Sequence, residues 1–88
     1  MNAAEARKIS KGNEPNLISQ CADNIIKLTK IQIQTAAKEG HYSVGARYEI
    51  PWNIKEKVIP QVVLYFECLG YEVEHKQLTE IDLFIIKW

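Results

Sequence analysis

No charge of one sign dominates this chain: eleven lysines and arginines balance eleven aspartates and glutamates over 88 residues. A net charge of zero argues against nucleic-acid affinity carried by the whole molecule, although a local basic patch fits within a balanced total. It also removes the repulsion that keeps small proteins apart. Long hydrophobic runs are missing as well. None approaches the ~20 residues that span a bilayer, and Met1 to Gly12 lacks the apolar segment of a secretion signal. The expected setting is the cytoplasm. Cysteine is scarce: Cys21 and Cys68 lie far apart, each within a helical pattern. Two buried thiols are expected there, with a disulfide as the alternative.

The spacings that announce chemistry are absent too. There is no Cys-x-x-Cys, no His-Glu-x-x-His, no phosphate-binding glycine loop and no serine elbow. His41 and His75 could meet over a metal only if the first two strands ran side by side. Glu72 and Glu74 share one face of a strand, but a working carboxylate pair needs one member in an apolar pocket. An exposed edge strand provides none, so they read as a solvated face. No catalytic residue, metal, cofactor or small-molecule substrate is expected, and the chain does not read as an enzyme.

What is present is the composition of an ordinary globular protein, 47% hydrophobic and 25% charged. A chain this short buries only about two-thirds of its unfolded surface, which leaves a thin core. Asn2 with Glu5 resembles a capping box, and Gly12 stops the short helix that follows. Residues 1–12 are thus read as an N-terminal helical arm and 13–88 as a single α+β domain. Pro15 suits a first helical turn. From there Leu17, Ile18, Cys21, Ile25, Leu28, Ile31 or Gln32, and Ala36 recur at helical spacing, ended by Gly40. Ile26 and Ile33 lie off this stripe and widen it beyond what one sheet contact needs.

After Gly40 the period falls to two. Tyr42, Val44, Ala46, Tyr48 and Ile50 alternate with polar or small residues, the clearest strand signal in the chain. Asn53 and Glu56 can cap a second major helix whose stripe is Ile54, Val58, Val62, Tyr65, Phe66 and Leu69. Pro60 either kinks that helix or forces its main part to begin near Val58. Tyr71, Val73 and His75 alternate with Glu72, Glu74 and Lys76 in a second strand. A short reversal through Gln77 to Glu80 makes a hairpin with the last strand, Ile81 to Trp88. That strand is bulky on both faces, with Ile81, Leu83 and Ile85 on one and Phe84, Ile86 and Trp88 on the other.

A strand apolar on both faces belongs in the middle of a sheet. The expectation is a two-layer α+β sandwich of order α-α-β-α-β-β. Its three-stranded mixed sheet has the C-terminal strand central and the helices on one face. One face of the central strand then stays open, where three bulky residues are each worth ~1.5–3 kcal/mol when buried. The N-terminal helix or long Arg and Lys stems can cover them, or a partner can. On the partner reading, Phe84, Ile86 and Trp88, with Ile26 and Ile33 on the long helix, form a surface for another protein or a second copy. The alternative is a nucleic-acid accessory role. It would use Arg7, Lys8 and Lys11 of the arm, Lys27 and Lys30 of the long helix, and Arg47 beside stacking aromatics.

Three stretches carry a resemblance: Ala36-Ala37-Lys38-Glu39-Gly40 before a strand, Leu69-Gly70-Tyr71-Glu72-Val73, and the closing Ile86-Lys87-Trp88. In them the last two-thirds of the chain is similar to small accessory proteins of tailed bacteriophages. The resemblance lies in turn and strand grammar and brings no active-site residues with it. It implies an accessory or virion-associated protein, working through contacts with a host or virion protein.

Overall fold

In a computed structural model describing residues 1–88, Asn2 opens the first helix. Its Oδ1 accepts the Glu5 amide at 2.9 Å, satisfying one of the donors a helix start leaves free. Helix α1 (Ala3–Lys38) then runs unbroken for 36 residues, ~54 Å at 1.5 Å per residue. It sets the 55 Å long axis of the molecule.

One helix therefore stands where two were expected, and Gly12 does not end it. Pro15 leaves the Lys11 carbonyl without its helical donor, but both residues are exposed, where water can supply the bond. Asn13 Nδ2 donates to the Ile9 carbonyl at 3.1 Å, and Lys57 Nζ donates to Glu14 Oε1 at 2.8 Å. Both bonds hold the stretch helical.

Strand β1 (Ser43–Tyr48), helix α2 (Lys55–Cys68), β2 (Glu72–Gln77) and β3 (Asp82–Lys87) complete the chain. Each helix ends on a glycine with positive φ, 84° at Gly40 and 94° at Gly70. In both cases the next two amides turn back to the last-turn carbonyls: Gly40 to Ala37 and His41 to Ala36, then Gly70 to Glu67 and Tyr71 to Phe66. This is the Schellman arrangement, which needs a residue free to adopt the left-handed region. Pro60 lies inside α2 without ending it; it sits on the exposed side, where the freed Glu56 carbonyl meets water.

The sheet order is β1-β3-β2, as expected, with the most apolar strand central. Both neighbour pairs are antiparallel, so the sheet is wholly antiparallel rather than mixed. β1 and β2 run parallel, but β3 lies between them. The two helices cover one face, α1 over β1 and α2 over β2. Ile18, Ala22, Ile25, Ile33, Val58, Val62, Phe66, Phe84 and Ile86 form the core between the layers.

Two phases differ from the sequence reading. On α1 the buried residues are Ile18, Ala22, Ile25, Thr29, Ile33 and Ala36, whereas Leu17, Leu28 and Ile31 are exposed. The face toward the sheet favours small residues, because a helix packs closest where Ala and Thr stand. On β3 it is Asp82, Phe84 and Ile86 that turn toward the helices, leaving Ile81, Leu83 and Ile85 half-buried on the open face. In the sheet register Leu83 lies between Arg47 and Lys76, and Ile85 between Gly45 and Glu74. The long stems beside them cover part of that apolar surface.

Candidate functional site

The reversal on β3 depends on one buried charge. Asp82 is fully buried, and its Oδ1 accepts from His75 Nε2 at 2.9 Å. A carboxylate only accepts, which fixes that proton on Nε2. Lys55 Nζ, itself buried, stands 3.0 Å from Oδ2. Oδ2 nevertheless has no hydrogen bond of acceptable geometry, so this contact is an ion pair held by charge and not a directed bond. On its far side the Lys55 ammonium lies 4.3 Å from the centre of the Trp52 ring. The cluster joins the start of α2 to β2 and β3 and makes an aspartate compatible with the core register. None of its three residues lines the main hollows of the surface. No three His, Cys, Asp or Glu side chains converge on a metal position, and β3 separates β1, which follows His41, from the strand that carries His75.

The residues expected to form a partner surface fall elsewhere. Phe84 and Ile86 are fully buried and Ile33 is 7% exposed, while Ile26 packs half-buried against the core. These four serve the interior. Trp88 alone is partly free, at 37% exposure, set edge-on to Tyr71 with centroids 6.1 Å apart.

The candidate basic residues do not gather into one patch. Arg7 and Lys27 are about 30 Å apart along α1 and nearly opposite around it. Lys30 lies 4.9 Å from the Tyr65 ring centre. Arg47 belongs to the open sheet face.

The surface that does assemble is a groove between α1 and the outer edge of β1. Leu17, Leu28 and Ile31 are about half exposed and project along the flank of α1 that overhangs β1. With Cys21 and Asn24 they form a second heptad row (17, 21, 24, 28, 31), offset by one residue from the buried row 18, 22, 25, 29. One hollow of ≈ 420 Å³ lies beside Leu17, Cys21, Leu28, Tyr48 and Pro51. Another of ≈ 520 Å³ lies beside Ile31, Thr35, Ser43 and Gly45.

The floor of the groove is held by hydrogen bonds. Tyr48 Oη lies 2.7 Å from Thr29 Oγ1, which donates to the Ile25 carbonyl at 2.6 Å, and Gln32 Nε2 donates to Tyr48 Oη at 3.3 Å. Burial pushes the Tyr48 phenol above its ordinary 10.0, and the Thr29 hydrogen bond opposes this as the smaller effect. Cys21 is a free thiol, also raised by burial, and so holds little thiolate.

Along the groove runs an unpaired strand edge. The Trp88 amide bonds to the Tyr42 carbonyl at 3.0 Å, which makes Tyr42 and Trp88 a hydrogen-bonded pair of the β1–β3 ladder. By alternation Val44, Ala46 and Tyr48 bond inward to β3, while the N–H and C=O groups of Ser43, Gly45 and Arg47 face out. The sequence does carry a signal for this site. β1 holds one charged residue in six, Arg47, whereas β2 holds Glu72, Glu74 and Lys76. Comparison with protein-family models, curated proteins and solved structures finds no match to this chain.

Proposed function

We propose that this chain is a non-enzymatic protein-interaction module and that the groove between α1 and β1 is its binding surface. One observation carries the reading: three large apolar side chains are left exposed on a single helix flank, beside the strand edge whose only charge is Arg47. Exposed apolar rows of this kind mark interaction sites, and an unguarded edge is a ready hydrogen-bonding template. The resemblance to phage accessory proteins supplies the setting, a cytoplasmic or virion-associated adaptor acting on a host or virion protein. No helix is long and apolar enough to cross a membrane.

The test replaces Leu28 and Ile31 with lysine. Both side chains are exposed, so the Leu28→Lys/Ile31→Lys protein should unfold within about 0.5 kcal/mol of the original. A partner co-purified stoichiometrically with the unaltered protein should be lost. Retention of that partner by the doubly substituted protein would move the binding surface elsewhere.

A further inference from the structure

We infer that the groove takes an extended peptide from a partner protein, which adds to β1 as a fourth, antiparallel strand. This rests on the interaction reading above and names the form its partner takes.

Spacing excludes a second copy of β1 as the antiparallel neighbour. Paired strands lie ~4.8 Å apart, whereas packed helices need about 8–10 Å between axes. α1 lies over β1, so antiparallel pairing of β1 with its equivalent in another copy, which sets both helix layers on one face, would drive the two α1 helices into each other. A single strand without a covering helix meets no such barrier. Within residues 1–88 no segment is spare, since residues 3–38 are one helix and the remaining strands are already paired.

The main chain defines half of the ligand. The outward N–H and C=O groups of Ser43, Gly45 and Arg47 fit a strand at the usual ladder spacing, and antiparallel pairing gives the better-aligned bonds. Gly45 is exposed and leaves the middle of the edge without a side chain. Side chains define the other half. A peptide residue opposite Arg47 shares the open sheet face with it, and that guanidinium is the only charge on β1; the complementary residue is acidic. The peptide's alternate side chains turn toward α1, where Leu28, Ile31 and the ≈ 420 Å³ hollow take apolar groups, while the ≈ 520 Å³ hollow, lined mainly by polar residues such as Gln32, Thr35 and Glu39, suits a polar or small one. The six residues of β1 span ~20 Å at 3.4 Å each. The expected ligand is therefore a segment of similar length that alternates apolar and polar residues, with an acidic residue on its polar face.

The experiment selects binders from a displayed library of random peptides on the immobilised full chain, then synthesises the strongest one. Each of its amides is methylated in turn, which removes one main-chain donor without altering the protein. Strand addition predicts a period of two: alternate N-methyl positions weaken binding about three- to tenfold, and those between them do not. Chemical shifts of the Ser43, Gly45 and Arg47 amides should move on binding. An N-methyl profile without that period, unmoved β1 amides, or no enriched peptide at all would each overturn the inference. If a cellular partner still depends on Leu28 and Ile31 in that case, the interaction reading survives without the peptide. If it does not, both fall.

Discussion

The two edges of this sheet are built to opposite specifications. At register-equivalent positions β2 carries Glu72, Glu74 and Lys76 where β1 carries Ser43, Gly45 and Arg47. Side chains charged at every second position keep a foreign strand from settling on β2. β1 has a glycine in the middle and an apolar helix flank above it. The attachments to the helix layer differ in kind as well. The β2 side is tied to α2 through the buried Lys55–Asp82–His75 cluster. The β1 side is tied to α1 through the neutral hydrogen bonds of Tyr48, Thr29 and Gln32. One edge carries charge at every second position and the other only at Arg47.

Three variants separate these halves, and the largest effect is expected on the charged side. Asp82→Ala strands the buried Lys55 ammonium and removes the acceptor for His75. It should destabilise folding by about 3–5 kcal/mol in urea unfolding, the usual scale for breaking a buried pair from one end. A loss below about 1 kcal/mol would show that water already reaches the cluster.

Next comes a transplant of the β2 pattern onto β1, as Ser43→Glu/Gly45→Glu/Arg47→Lys. A Cβ at Gly45 meets only Leu83 Cδ1, at an ordinary 3.5 Å, so the fold should keep its unfolding midpoint. Binding of an acidic extended peptide should weaken by at least about tenfold, or 1.4 kcal/mol. Unchanged affinity would mean that edge charge does not distinguish the two strands.

Tyr48→Phe should cost the least, about 0.5–1.5 kcal/mol for the lost hydrogen bonds. It carries a pH signature whose sign follows from the raised phenol. In the unfolded chain Tyr48 ionises near 10.0 and in the fold it does so later. The unfolded state therefore loses its proton first. Stability is intact below pH 10 and falls as pH rises toward the folded value. The Phe variant should lack this tyrosine's share of the alkaline decline, measured by unfolding at stepped pH.

Much of this architecture was legible in the chain, and the reasons are local. Period-two alternation marked β1 and β2 with their inner faces, and the glycines at 40 and 70 marked both helix ends. The doubly apolar closing strand pointed to its own central place. What misled were residues whose meaning depends on distant partners. Asp82 shares a register with Phe84 and Ile86, and a charge on that face fits the core only because Lys55, far upstream, is brought beside it. On α1 the larger Leu17, Leu28 and Ile31 outweighed Ala22 and Thr29 in setting the stripe, although close packing on the sheet selects the smaller pair. The helical turns around Gly12 and Pro15 look like a break by propensity, yet exposure makes their lost bonds tolerable. The groove between α1 and β1 is obscured in the same way. Its apolar lining reads as core, while the buried Phe84, Ile86 and Ile33 and the half-buried Ile26 read as a partner surface.

The most direct measurement is residue-resolved amide hydrogen exchange with and without saturating selected peptide. The outward amides of the two edges, Ser43, Gly45 and Arg47 on β1 against Val73, His75 and Gln77 on β2, form an internal comparison within one sample. Protection should appear on the three β1 amides while the three on β2 keep their free exchange rates. Protection on β2, or none on either edge, would contradict the account.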